Sequence, residues 1–137
     1  MTPSRRLIVH IDGGARGNPG PAAIGVVVSD ADGERVEEVA ETIGETTNNV
    51  AEYMALLKGL ERATALGATE LEVVNDSELV AKQITGEYKV KHAAMKPLYE
   101  RAVAAIDAFG SFSIRSVPRA QNAEADALVN AALDGRL

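Results

Sequence analysis

Residues Leu7–Asp30 read LIVHIDGGARGNPGPAAIGVVVSD, and the reading of this stretch decides how the rest of the chain is assembled. Leu7–Ile11 is an apolar, β-branched run suited to a strand, GNPGPAA is a turn, and IGVVVSD is a second strand. Asp12 stands at or near the C-terminal end of the first strand. A carboxylate there could be a helix cap, part of a nucleotide loop, or the first member of a metal site. The nucleotide loop fails on sequence. Gly14, Gly17 and Gly20 give no GxGxxG pattern, no GK[ST] follows, and a strand comes next where a dinucleotide loop would open a helix.

Working outward, a turn at Asp32–Gly33 leads to a third strand with Val36, Val39 and Ile43, which completes an antiparallel meander. The period then changes. Val50, Met54, Leu57, Leu60 and Ala63 recur three or four apart, the stripe of an amphipathic helix, with Thr47 or Asn48 as N-cap and Gly67 as stop. ATELEVVND is a fourth strand, and SELVAKQITG is a short helix capped by Asp76 or Ser77. A longer helix fills Ala94–Phe109, FSIRSVP is a last strand, and Ala123–Leu133 is a last helix. This order predicts an α/β fold: a mixed sheet whose later strands arrive by parallel crossovers with helices packed on it.

The 137 residues, 46% hydrophobic, suffice for one core, and a single domain over 1–137 is expected. A net charge of -6 argues against holding nucleic acid mainly through a basic surface, yet acids gathered around cations would produce the same count. Cysteine is absent, so a metal would be held by oxygen or imidazole. His10 and Asp12 interrupt the N-terminal apolar run before it could serve as a signal segment, and no apolar stretch approaches the roughly 20 residues of a membrane span. A cytoplasmic location is expected.

Four carboxylates stand out by position. Asp12 and Asp76 end the first and fourth strands, Glu52 lies about one turn into the first long helix, and Asp126 follows Asn122 by one helical turn. Taken singly, Asp76 could be an N-cap, Glu52 a dipole-matched helix acid, and Asp126 a solvated helix residue. Taken together they point to the crevice beyond the strand ends of an open sheet. Four acids in one cleft repel one another unless hard divalent cations join them. The expected chemistry is two-metal hydrolysis of a phosphodiester.

The segments IDGGARGNPGPAAIG, TTNNVAEYMALLKGLE, VVNDSELV, GEYKVK and VPRAQNAEADALVNAAL, in this order and spacing, resemble the type 1 ribonuclease H family over nearly the whole chain. The resemblance is strongest to its compact prokaryotic and archaeal-like branch, which includes ribonuclease H domains fused to phosphatases in some actinobacteria. It implies a five-stranded mixed sheet of order 3-2-1-4-5 flanked by helices, and endonucleolytic cleavage of the RNA strand of RNA/DNA hybrids to 5′-phosphate and 3′-hydroxyl ends. Asp12, Glu52, Asp76 and Asp126 would ligate two Mg²⁺ or Mn²⁺ ions, with Glu52 also near the scissile 2′-hydroxyl. Gly13 and Gly14 would let the backbone approach the minor groove, and Asn18, Asn48 and Asn49 match positions that contact the hybrid. The plainer reading of these asparagines is turn and cap chemistry.

The match departs from the family in places. Arg119 stands where many members carry a histidine; it remains protonated and could hold a phosphate but not act as a base. Glu78 replaces a glutamine of some relatives, and the basic helical handle is reduced to Lys89 and Lys91. His10 is expected in a strand and His92 in a surface loop, and no membrane or obligate protein partner is implied. The competing readings are a nuclease of the same superfamily acting on double-stranded RNA or DNA junctions, and a non-catalytic nucleic-acid-binding module.

Overall fold

Strand β1 (Arg6–Ala15) runs through the centre of a five-stranded sheet in the computed structural model, which describes residues 4–137. The remaining elements in chain order are β2 (Gly20–Asp30), β3 (Arg35–Thr46), α1 (Asn48–Ala65), β4 (Glu70–Asn75), α2 (Glu78–Ile84), α3 (Lys96–Ile106), β5 (Ser111–Ser116), a single 3-10 turn (Arg119–Asn122) and α4 (Ala123–Leu133). The sheet order is β3-β2-β1-β4-β5. β1, β2 and β3 pair antiparallel, and β1, β4 and β5 pair parallel. Both the element sequence and the mixed sheet agree with expectation.

The alternation of β1 divides the interior. Leu7, Val9 and Ile11 join Ile24, Val26 and Val28 of β2 against Tyr53, Leu56 and Leu60 of α1, with α2 and α3 completing that side through Val80 and Ala102. On the opposite face Ala23 packs against Val129 and Ala132 of α4. α4 comes so near the sheet that a Cβ on Gly25 would strike the Ala125 carbonyl, so glycine is required there.

Three local expectations need correction. β1 does not end at Ile11; it continues through Asp12–Ala15, because β2 pairs with it as far as Ala15–Ala22 and supplies the hydrogen bonds the glycines need. The strand end relevant to Asp12 is that of the parallel ladder with β4, which stops at His10–Val74. In β3, the register shifts leave Val36 and Ile43 as extra residues opposite β2, so Val36, Val39 and Ile43 do not follow one alternation. Helix α3 spans Lys96–Ile106 rather than Ala94–Phe109: Pro97 lacks an N–H and suits only the first turn, and Ala94 is held in the preceding turn by the His92 ring.

Candidate active site

Local capping determines which polar side chains are free to face the cleft. Thr47 rather than Asn48 caps α1, its hydroxyl accepting from the Val50 amide, so Asn48 can turn outward and accept from the Ala15 amide at 2.8 Å. The Asn48 amide in turn donates to Asn18 Oδ1 at 3.1 Å, which ties the β1–β2 turn to the start of α1. Ser77, not Asp76, caps α2, and Asn75 Oδ1 accepts from the Ser77 amide at 2.6 Å. Asp76 is thereby released from helix capping.

Asp12, Glu52, Asp76 and Asp126 all line one cleft of about 480 Å³ at the carboxyl ends of β1 and β4, together with Gly13, Gly14, Asn48 and Arg119. Gly13 makes this approach possible. A Cβ there would collide with the Ala51 carbonyl, so only glycine lets β1 lie against α1 where Glu52 emerges. Asp126, in the first turn of α4, accepts from Arg119 at 2.9 Å and from Asn130 Nδ2 at 3.4 Å. Asn122 Nδ2 donates to the Ile11 carbonyl at 2.8 Å, which fixes the start of α4 beside Asp12.

Electrostatics follow from this crowding. Burial, and then the charges of Asp76, Asp126 and Glu52, push the Asp12 carboxyl up to about 8. Burial also raises Glu52, opposed by a hydrogen bond from Ser77. The cleft also holds two arginines, but Arg16 is paired with Asp134, so among the described residues only Arg119 forms an ion pair with one of the four acids; such clustered, partly desolvated carboxylates are a donor set suited to hard, oxygen-seeking divalent ions. Among the described residues no three acids close into a preformed cage.

Other candidates lie outside the cleft lining. Asn18 and Asn49 sit beside it at the turn and the α1 start, while Lys89 and Lys91 are exposed on the segment between α2 and α3. His10 borders a separate depression with Asn122 and Glu124, and His92 is an exposed turn residue. The sequence reading missed Arg16 and Asn130, both in the cleft lining. Asn130 was available from its i+4 spacing to Asp126; Arg16 was not, since its pairing with Asp134 brings together residues far apart in the chain. A larger depression, about 750 Å³ between β2, β3, α1 and α3, is mainly apolar and gathers no comparable set of carboxylates.

A family model described as "Reverse transcriptase-like" matches residues 10–132. RNase H1 from the halophilic archaeon Halobacterium salinarum superposes with a TM-score of 0.93 at 45% identity, covering 95% of this chain and 98% of that one. The chain belongs to the type 1 ribonuclease H family. LC11-RNase H1, solved in complex with an RNA/DNA hybrid, matches at a TM-score of 0.90 and 44% identity over 95% of this chain and 98% of that one. Among curated proteins, "Bifunctional protein Rv2228c" of Mycobacterium tuberculosis is 48% identical over 130 residues, 94% of this chain. The chain spans only 36% of that relative's length. Ribonuclease H enzymes use divalent metal ions. Among the described residues no helix is long and apolar enough to cross a membrane.

Proposed function

We propose that this chain is a ribonuclease H domain that cleaves the RNA strand of RNA/DNA hybrids endonucleolytically, leaving 5′-phosphate and 3′-hydroxyl ends. The observation that carries the reading is the convergence of Asp12, Glu52, Asp76 and Asp126, drawn from β1, α1, the end of β4 and α4, on one cleft. These four would hold two divalent cations, Mg²⁺ or Mn²⁺. When bound, the cations supply a nucleophile from water at neutral pH and charge stabilisation at the leaving oxygen.

The chain's own groups do the rest. Gly14 presents bare backbone along the cleft wall, which a wide RNA-containing minor groove with its 2′-hydroxyls can approach, and Gly13, buried against the Ala51 carbonyl, brings α1 close behind it. Asn18 and Asn48 spend their carbonyl oxygens on holding the turn and keep their amide donors for substrate, so cap chemistry and binding coexist in the same side chains. Arg119 is a standing counter-ion to Asp126 and is exposed, so it can transfer its donors to a phosphate once a cation takes its place at the carboxylate. Glu52, in the cleft lining, would meet both an ion and the scissile 2′-hydroxyl. Lys89 and Lys91, outside the cleft, would meet the more distant part of a long duplex.

The reading is tested with end-labelled hybrid, double-stranded RNA, double-stranded DNA and junction DNA, each with Mg²⁺ or Mn²⁺ and with EDTA. Metal-dependent cleavage confined to the RNA of the hybrid supports it, with Asp76→Asn inactive but folded. Equal cleavage of another duplex, or no cleavage with either metal, overturns it.

A further inference from the structure

Asn122 occupies an unusual position. It is 1% exposed and stands at the N-terminus of α4, yet its side chain caps no amide of that helix. Among the described residues its buried Oδ1 has no hydrogen-bond partner, while its Nδ2 reaches across 111 residues of sequence to the Ile11 carbonyl. A residue chosen for helix stability would use its oxygen on the helix. This one leaves a buried acceptor unpaired and satisfies the opposite strand.

The place it satisfies is specific. Ile11 lies one residue past the end of the β1–β4 ladder, where β4 leaves the strand pairing to deliver Asp76. The Asn122 donor meets β1 at that point, immediately before Asp12 and one helical turn before Asp126. The body of α4 has its own anchorage, Val129 and Ala132 against Ala23 and the close approach of Ala125 to Gly25, so the helix does not need this bond to form. What the bond controls is the setting of its first turn.

We propose that Asn122 is a positioning residue that sets the spacing of Asp12 and Asp126, and thereby the affinity of the cleft for divalent cations; this rests on the metal-dependent reading above. It touches neither substrate nor ion. It acts through the Ile11 carbonyl on one side and the first turn of α4 on the other.

The test is calorimetric titration of Mn²⁺ into the nucleic-acid-free protein, paired with thermal melting in EDTA. Five proteins are compared: wild type, Asn122→Ala, Asn122→Asp, Asp126→Asn, and the Asn122→Ala/Asp126→Asn double variant. Asn122→Ala should weaken Mn²⁺ binding by about tenfold or more, the usual consequence of losing a group that orients a ligand. Asn122→Asp should weaken it too, although the added negative charge would on its own strengthen it. The double variant should bind no more weakly than Asp126→Asn alone, because a residue that acts by presenting Asp126 has nothing left to present. Melting in EDTA separates these losses from unfolding.

Wild-type Mn²⁺ affinity in folded Asn122→Ala or Asn122→Asp overturns the inference and leaves the nuclease reading standing. So does a double variant whose loss is the product of the two single losses. A wild-type protein that binds no Mn²⁺ overturns both.

Discussion

The Asp12 carboxyl carries the largest electrostatic burden in the cleft, and replacing it with the neutral, isosteric asparagine in the metal-free protein should raise stability in a pH-dependent way. Burial and three neighbouring acids lift it from 3.8 to about 8. Because the folded value lies above the unfolded one, the associated stability is intact below the unfolded pKa and is lost progressively as pH rises to about 8. Between about pH 5 and about pH 9 the shift spans roughly three units, or at most about 4 kcal/mol at about 1.4 kcal/mol per unit. The neighbouring acids share the proton and relax with it, so we expect about 2 kcal/mol. Urea unfolding in EDTA measures it: the advantage of Asp12→Asn over wild type should grow by about that amount across this pH range. An advantage that does not change with pH, or that shrinks as pH rises, would refute the crowded-carboxylate account.

Other consequences follow from the same geometry. Millimolar Mg²⁺ or Mn²⁺ should raise the melting temperature of wild type, more near pH 9 than near pH 6 because cations compete with protons for the acids, and the effect should shrink in Asp76→Asn. Gly13→Ala should cost about 1–3 kcal/mol and depress activity, since its methyl would drive β1 away from the Ala51 carbonyl; unchanged melting and cleavage would count against the close packing. Arg119→Ala should lower kcat/KM about tenfold, the loss of one charged phosphate contact, with little change in melting because its pair with Asp126 is exposed. Arg119→Lys, which keeps the positive charge beside Asp126, should leave the shape of the pH–rate profile between about pH 5 and about pH 8 as in wild type, since arginine does not titrate there. A profile that changes shape in this charge-conserving variant would mean that Arg119 takes part in proton movement.

Much of this was legible in sequence because local rules act over short distances. The β-branched run Leu7–Ile11, period three to four in Val50–Ala63, and pairs of cap candidates at the starts of α1 and α2 needed only neighbours along the chain. What was not legible depends on partners distant in sequence. Gly13 and Gly14 read as turn residues because glycine is common in turns, and only the pairing with β2 makes them strand. The bulges at Val36 and Ile43 arise from fitting a twelve-residue edge strand to β2; the first leaves no compositional mark, and the second leaves only Gly44, in the left-handed region beside Ile43. Asp76 was ambiguous until Ser77 was seen to take the cap. The tie from Asn122 to Ile11 and the place of Arg16 in the cleft require α4 to be docked first. The acids themselves were findable because each combined an unusual residue type with an unusual place in its element.

The most direct test of the shared-cation site is paramagnetic broadening of backbone amide NMR signals at substoichiometric Mn²⁺. The account predicts that signals of Asp12–Gly14, Glu52, Asp76–Ser77 and Ala125–Asp126 disappear together at the lowest Mn²⁺, while those of β3 and α3 persist. Broadening centred elsewhere, or loss of only one of those four segments, would contradict it.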